Sequence, residues 1–209
     1  MRDKVIIIGG FVEIIELCEE SNLNIIGIVD PNKKDSYLSY SIIGSEENIE
    51  EWRPRYSNLK LIIAPDAPKV RKKLAGLYKQ YDFYFYTLIS KTAKVSKSSR
   101  IEEGSIIQGG SNISSEVLIG ACVKVNNHAN IMHNAHVGHF STIAPNAVLL
   151  GHVKVGEACY IGANATILQH VSICDNVTIG AGAVVTKNIT SPNTVWAGVP
   201  ARELKNKKA

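Results

Sequence analysis

The sequence predicts a parallel β-helix preceded by a small α/β domain. From Ile89 to Thr190 an aliphatic residue leads every sixth position without a slip, as at Ile101, Ile113, Val125, Ile131, Leu149, Ile161, Ile173 and Val185. The position four residues after each leader is also restricted, to Ala, Ser, Val, Cys or Ile, as at Ala93, Ser105, Val117 and Ala129. A helix needs apolar residues at a period of 3.6 and an ordinary strand at 2, so a strict period of six fits neither. It is the mark of a solenoid in which three hexapeptides make one triangular coil. Positions 18 apart in sequence then stack one above the other, roughly 4.8 Å apart.

The first 88 residues read differently. Lys4-Val5-Ile6-Ile7-Ile8 is an apolar run into Gly9-Gly10, and Phe11 to Ser21 follows with helical spacing at Val12, Ile15 and Leu17. Asn24 to Val29 is a second buried strand closed by Asp30-Pro31, so the chain opens on a β-α-β unit. A short strand over Ser41-Ile42-Ile43 comes next, then Ser45 as the cap of a helix from Glu46 to Trp52. Leu59 to Ala64 reads as another buried strand, Asp66 as the cap of the helix that carries Pro68 in its first turn, and Phe83 to Leu88 as a last strand of the sheet. Three units follow: an α/β domain over 1–88, a β-helix over 89–190, and a cap and tail over 191–209. Short turns in the β-helix come from Gly, Asn and Asp, as at Gly104-Ser105 and Asp175-Asn176.

Composition narrows the function. The net charge is +4, and the positive excess lies in the repeat half, with Lys205, Lys207 and Lys208 in the tail. The repeat has almost no aromatics to interleave with a basic stripe, which argues against nucleic acid and for a small anionic ligand. No signal segment or bilayer-length apolar run is visible, and four cysteines without framework or metal spacing fit a reducing compartment. These features point to the cytoplasm and to no membrane association.

At this point the residues resemble a family, the hexapeptide-repeat nucleotide-sugar N-acetyltransferases of bacterial glycan synthesis, of the NeuD and PglD type. The resemblance rests on Val5 to Gly10, on Ile62-Ile63-Ala64 leading to Asp66 and Arg71, and on Asn126 to Gly138 around a histidine. It rests also on Ile179 to Val185 with Gly198-Val199-Pro200-Ala201-Arg202. It implies a Rossmann-like nucleotide-sugar-binding domain, a left-handed β-helix, a homotrimer, and acetyl-CoA lying between neighbouring solenoids. It implies His133 as catalytic base, Asn126 at the coenzyme, and Gly151 as the residue whose amide faces the thioester. The stacking rule adds that Gly151 lies one coil above His133, where a missing side chain leaves room for pantetheine. Ala163, Gly180 and Ala181 would edge the coenzyme, and Lys187 or Arg202 would meet its phosphates. Gly9, Gly10, Asp30 and Asp66, at the C-terminal ends of predicted parallel strands, would meet the nucleotide.

Two departures stand out. The family usually has a carboxylate directly after the histidine, and this chain has Asn134, which can fix a tautomer but cannot stabilise imidazolium by charge. The glycine-rich turn after the first strand is shortened, with Phe11-Val12-Glu13 in its place. The six histidines also admit a surface or interface role, and His152 and His170, 18 apart, continue a column begun by Asn134. Two other readings stay open. His128 and His133 have a separation that a zinc site similar to the gamma-class carbonic anhydrases would use, and a trimeric scaffold without chemistry would keep the same fold. The acetyltransferase reading needs acetyl-CoA and no metal.

Overall fold

The computed structural model describes residues 2–204. Its first part is an open, mostly parallel sheet of β1 (Lys4–Ile8), β2 (Asn24–Val29), β3 (Ser36–Tyr37), β4 (Tyr40–Gly44) and β5 (Lys60–Ile63), in the order β3-β4-β2-β1-β5. Only the β3–β4 edge is antiparallel. Three helices, α1 (Val12–Glu20), α2 (Ile49–Tyr56) and α3 (Pro68–Lys79), cover it. Val5 and Ile7 pack with Ile14, Ile15 and Cys18 of α1, while Ile6 and Ile8 pack with Trp52 of α2 and Leu74 and Tyr78 of α3. With both faces buried, β1 has no solvent side, which is why it reads as an unbroken apolar run.

Two local expectations are corrected. Phe83 to Leu88 is not a strand of this sheet: it makes one bridge, Leu61 to Phe85, and Leu88–Ile89 pairs instead with Ile106–Ile107 as the first rung of the solenoid. Asp66 does not cap α3, whose first turn has Ala67 before it and no side-chain cap. Its carboxylate turns to Lys124 Nζ at 3.4 Å, a fully buried cation with a stronger claim on an anion than a helix end that already begins with Pro68. The Ser45 cap does form: Ser45 Oγ accepts from the Glu47 amide and the Asn48 side chain accepts from the Ser45 amide.

From Leu88 the chain winds into a three-faced parallel β-helix of two-residue strands. Partners are 18 residues apart, as in Lys124 with Thr142, Asn130 with Val148 and His136 with Lys154. Leaders from Ile107 to Val185 are buried, whereas Ile89 in the lowest coil is 38% exposed because no coil lies beneath it. The residue three after a leader takes left-handed backbone angles at every turn from Glu116 to Asn176, with φ between 52° and 63°. That conformation tolerates Asn and His better than bulky residues, and Asn134, His128, His152 and His170 all occupy it. At the top, Val195–Ala197 extends one face in parallel to Thr178–Ile179 and pairs antiparallel with Arg202–Glu203, placing Ala201 in the core. Lys205, Lys207 and Lys208 lie outside the described residues.

Arg71 joins the two parts. Its guanidinium is buried and donates to the carbonyls of Pro65, Asp66, Cys122, Phe140 and Ser141 and to Thr142 Oγ1, at 2.7–3.0 Å. Burial lowers it to about 10, against the opposing pull of Asp66, so it stays charged at neutral pH. Among the described residues no helix is long and apolar enough to cross a membrane.

Candidate active site

The 18-residue register sorts the site residues onto corners of the coil. His133, Gly151 and Lys187 share one column, since each lies two residues after a leader on the same face. Asn134, His152 and His170 form the adjacent column of left-handed residues. Ala163 and Ala181 lie on a different corner, with Asn126 and Gly180 just before it. Within one chain the two corners are separated by one face of six residues, roughly 15–20 Å of extended backbone.

At the first corner His133 Nδ1 lies 3.0 Å from Asn134 Oδ1. The Asn134 amide nitrogen in turn donates to Glu116 Oε2, one coil below. The other edge of the ring rests on Gly151: a Cβ there would come within 2.7 Å of His133 Cε1 and 2.8 Å of Nε2. The space left by the missing side chain is therefore filled by the imidazole itself, where the sequence suggested room for pantetheine. His152 meets His133 edge-on at 5.2 Å between ring centroids and stacks on His170 at 4.9 Å and 10°. These rings, with Met132, Leu150 and Gln169, line an open groove of about 380 Å³. Glu116 is the residue that sequence reasoning missed, although it stands 18 positions before Asn134 and the register points to it directly.

On the other corner Asn126 is buried and its amide donates to Asp66 at 3.0 Å, so its side chain meets the α/β part and not His133. Ala163 and Ala181 stack through the Gly182 amide, which donates to the Ala163 carbonyl at 2.8 Å. Gly180 lies beneath Ala197 of the closing hairpin, and its amide donates to Trp196 at 2.7 Å. Lys187 and Arg202 are exposed near the top.

A second cavity, of about 920 Å³, opens at the C-terminal ends of β1, β2 and β5, and Gly9, Gly10, Asp30 and Asp66 all line it. Chain direction across the sheet reverses at β1, which places this cavity at the switch point where open α/β sheets hold ligands. Gly9 has φ of 88°, open to glycine, and a Cβ would press on Phe11 and Pro65 at 3.2 Å. Asp30 accepts from the amides of Gly10 and Asn32, shaping the loop, with Lys33 at 3.8 Å. The first turn of α1 follows Phe11 with no side-chain cap.

The histidine pair offered for zinc parts in the fold. His128 lines a different cavity, with Glu13, Glu16 and Gln108, and among the described residues no three His, Cys, Asp or Glu side chains converge within one chain. The cysteines are free, and burial pushes Cys18 up to about 12 and Cys122 and Cys159 up to about 11, which keeps these thiols protonated and poor as nucleophiles.

Residues 152–187 match the family described as bacterial transferase hexapeptide (six repeats). No curated protein sequence matches the chain. Among solved structures, PerB from Caulobacter crescentus, in complex with CoA and GDP-perosamine, is 27% identical over 97% of both chains, with a TM-score of 0.90. The acetyltransferase domain of PglB from Neisseria gonorrhoeae, in complex with acetyl coenzyme A, is 25% identical over 98% of this chain and 100% of that one, with a TM-score of 0.87. WeeI from Acinetobacter baumannii shares the fold at 20% identity, over 96% of this chain and 100% of that one, with a TM-score of 0.74. The repeat pattern over residues 152–187 and a likeness that runs end to end make this chain similar to hexapeptide-repeat transferases such as PerB and the acetyltransferase domain of PglB.

Proposed function

We propose that the protein transfers the acetyl group of acetyl-CoA to the amine of a nucleotide-linked amino sugar, with a 4-amino-4,6-dideoxyhexose as the sugar class. The observation that carries this is the His133 corner: an imidazole with one nitrogen held by Asn134 and its other edge laid against Gly151, both residues lining an open groove, in a fold whose relatives bind CoA and GDP-perosamine. The amine lone pair attacks the thioester carbonyl and forms the new C–N bond. His133 Nε2 takes the ammonium proton, the C–S bond breaks, and the imidazolium returns the proton to the departing thiolate. The Gly151 amide is the candidate donor to the tetrahedral oxyanion. No step calls for a metal.

The coenzyme is proposed to run upward from His133. Ala163, Gly180 and Ala181 would supply small backbone edges, and Lys187 or Arg202 the countercharge for its phosphates. Because those small residues and His133 stand on different corners, one groove contains both sets only if a neighbouring subunit contributes one of them, which supports a homotrimer of left-handed β-helices. Asn126, bound to Asp66 in the seam, is then a link between the two parts of the chain before it is a coenzyme contact. The α/β part is read as a Rossmann-like domain that takes the nucleotide at Gly9, Gly10, Asp30 and Asp66, with the open first turn of α1 available to phosphate oxygens. Acetyl-CoA as donor and four unpaired thiols fit the cytoplasm.

The test is release of CoA thiol with a panel of UDP-, dTDP- and GDP-linked amino sugars. Turnover with an amine-bearing sugar, absent with its hydroxyl counterpart, is the expected result. Thiol release that ignores the acceptor would overturn the proposal.

A further inference from the structure

We infer that Glu116 is a positioning residue for His133, acting through Asn134 to hold the imidazole in the tautomer that leaves Nε2 free as a base. The inference rests on the acetyl-transfer reading for its consequence, but its geometry stands alone. A carboxylate has only acceptors, so Asn134 must turn its NH₂ toward Glu116. The Asn134 carbonyl oxygen is then the atom that faces His133 Nδ1 at 3.0 Å, and an oxygen acceptor there requires the proton to sit on Nδ1. Without Glu116 the amide is free to rotate by half a turn, present its NH₂ to Nδ1, and favour the opposite tautomer, with the proton on Nε2 and no lone pair for the amine.

The coil holds both residues in place for this. Glu116 and Asn134 occupy equivalent left-handed turn positions one coil apart, with φ of 56° and 59°. The Glu116 amide donates to Ser98 Oγ at 3.0 Å and the Asn134 amide to the Ser115 carbonyl at 3.0 Å, so the backbone beneath each side chain is fixed. The carboxylate that the family pattern leads one to expect beside the histidine is thus present one coil lower, with an amide between.

Two variants and two readouts test it. Glu116→Ala removes the acceptor, and Glu116→Gln keeps an acceptor oxygen while removing the charge. With Ala, the expected results are a fall of about 10-fold in kcat with the KM for acetyl-CoA unchanged, since partners behind a functional histidine contribute on that scale. Nitrogen NMR of labelled histidine, assigned with the His133→Asn variant, should show the His133 proton moving from Nδ1 toward Nε2. Gln, whose amide can present either its oxygen or its NH₂ to Asn134, should fall between Ala and wild type in both kcat and tautomer. Wild-type kcat and an unmoved tautomer in Glu116→Ala would overturn the inference. A fall in kcat with an unmoved tautomer would overturn it too, marking Glu116 as merely structural. If the protein transfers no acetyl group at all, the NMR measurement still decides the relay while the functional proposal falls.

Discussion

Arg71 and His133 both sit in motifs that resemble the family, yet they lie at opposite ends of a scale. Arg71 is buried, and its five N–H groups meet six acceptors on both parts of the chain. Nothing of it is left for a ligand. His133 is exposed on a corner that lines a groove, with one nitrogen held by Asn134 and the other edge laid against Gly151, which offers it no side chain. The difference teaches that a site is found by hydrogen-bonding capacity left unused at an accessible place, and that a saturated charge is a joint. Lys124 belongs with Arg71: it is fully buried between Glu13 at 3.1 Å, Asp66 at 3.4 Å and the Ala64 carbonyl at 3.2 Å.

The largest effect should come from breaking the joint. Arg71→Ala leaves the Pro65, Cys122 and Phe140 carbonyls without a donor and takes one from Asp66, Ser141 and Thr142, a loss of more than about 3 kcal/mol, seen as a drop of about 10 °C in Tm by calorimetry. A drop of only a degree or two would mean that the seam is held elsewhere. Next is Gly151→Ala, whose methyl collides with the His133 ring and should lower kcat about 10-fold or more by displacing the base. CoA affinity measured by titration calorimetry should hold. If affinity falls and kcat does not, the space above His133 belongs to the coenzyme. His152→Ala removes a neighbouring ring that makes only an edge contact with His133, and steady-state turnover should change by less than about 3-fold. The smallest response should be that of the thiols. At pH 8 a maleimide probe with peptide mapping should label Cys174, which is half-buried, and spare Cys18, Cys122 and Cys159.

The two regions were not equally legible. The solenoid declares itself because its core is built from residues six apart, and local spacing alone puts Gly151 over His133 and His170 over His152. Glu116 was within reach of the same register, but the eye follows histidines and not the turn position they occupy. The seam is a different matter. Asp66 reads as a helix cap because its partner Lys124 is 58 positions away, and no local pattern announces an ion pair of that span. Asn126 likewise meets Asp66 across the seam, where chain spacing alone gives no sign of it. Phe83 to Leu88 looks like a strand of the first sheet because nothing local says that Leu88 already has a partner in the coil.

The most direct measurement is turnover of His133→Asn beside wild type, with the best acceptor from the amino-sugar panel, together with CoA binding to both by calorimetry. Asn keeps polarity and approximate volume but cannot accept a proton at neutral pH. Turnover should fall ~100-fold or more with CoA affinity nearly unchanged, the scale on which a general base contributes. A variant within a few-fold of wild type would contradict the assignment of His133 as the base.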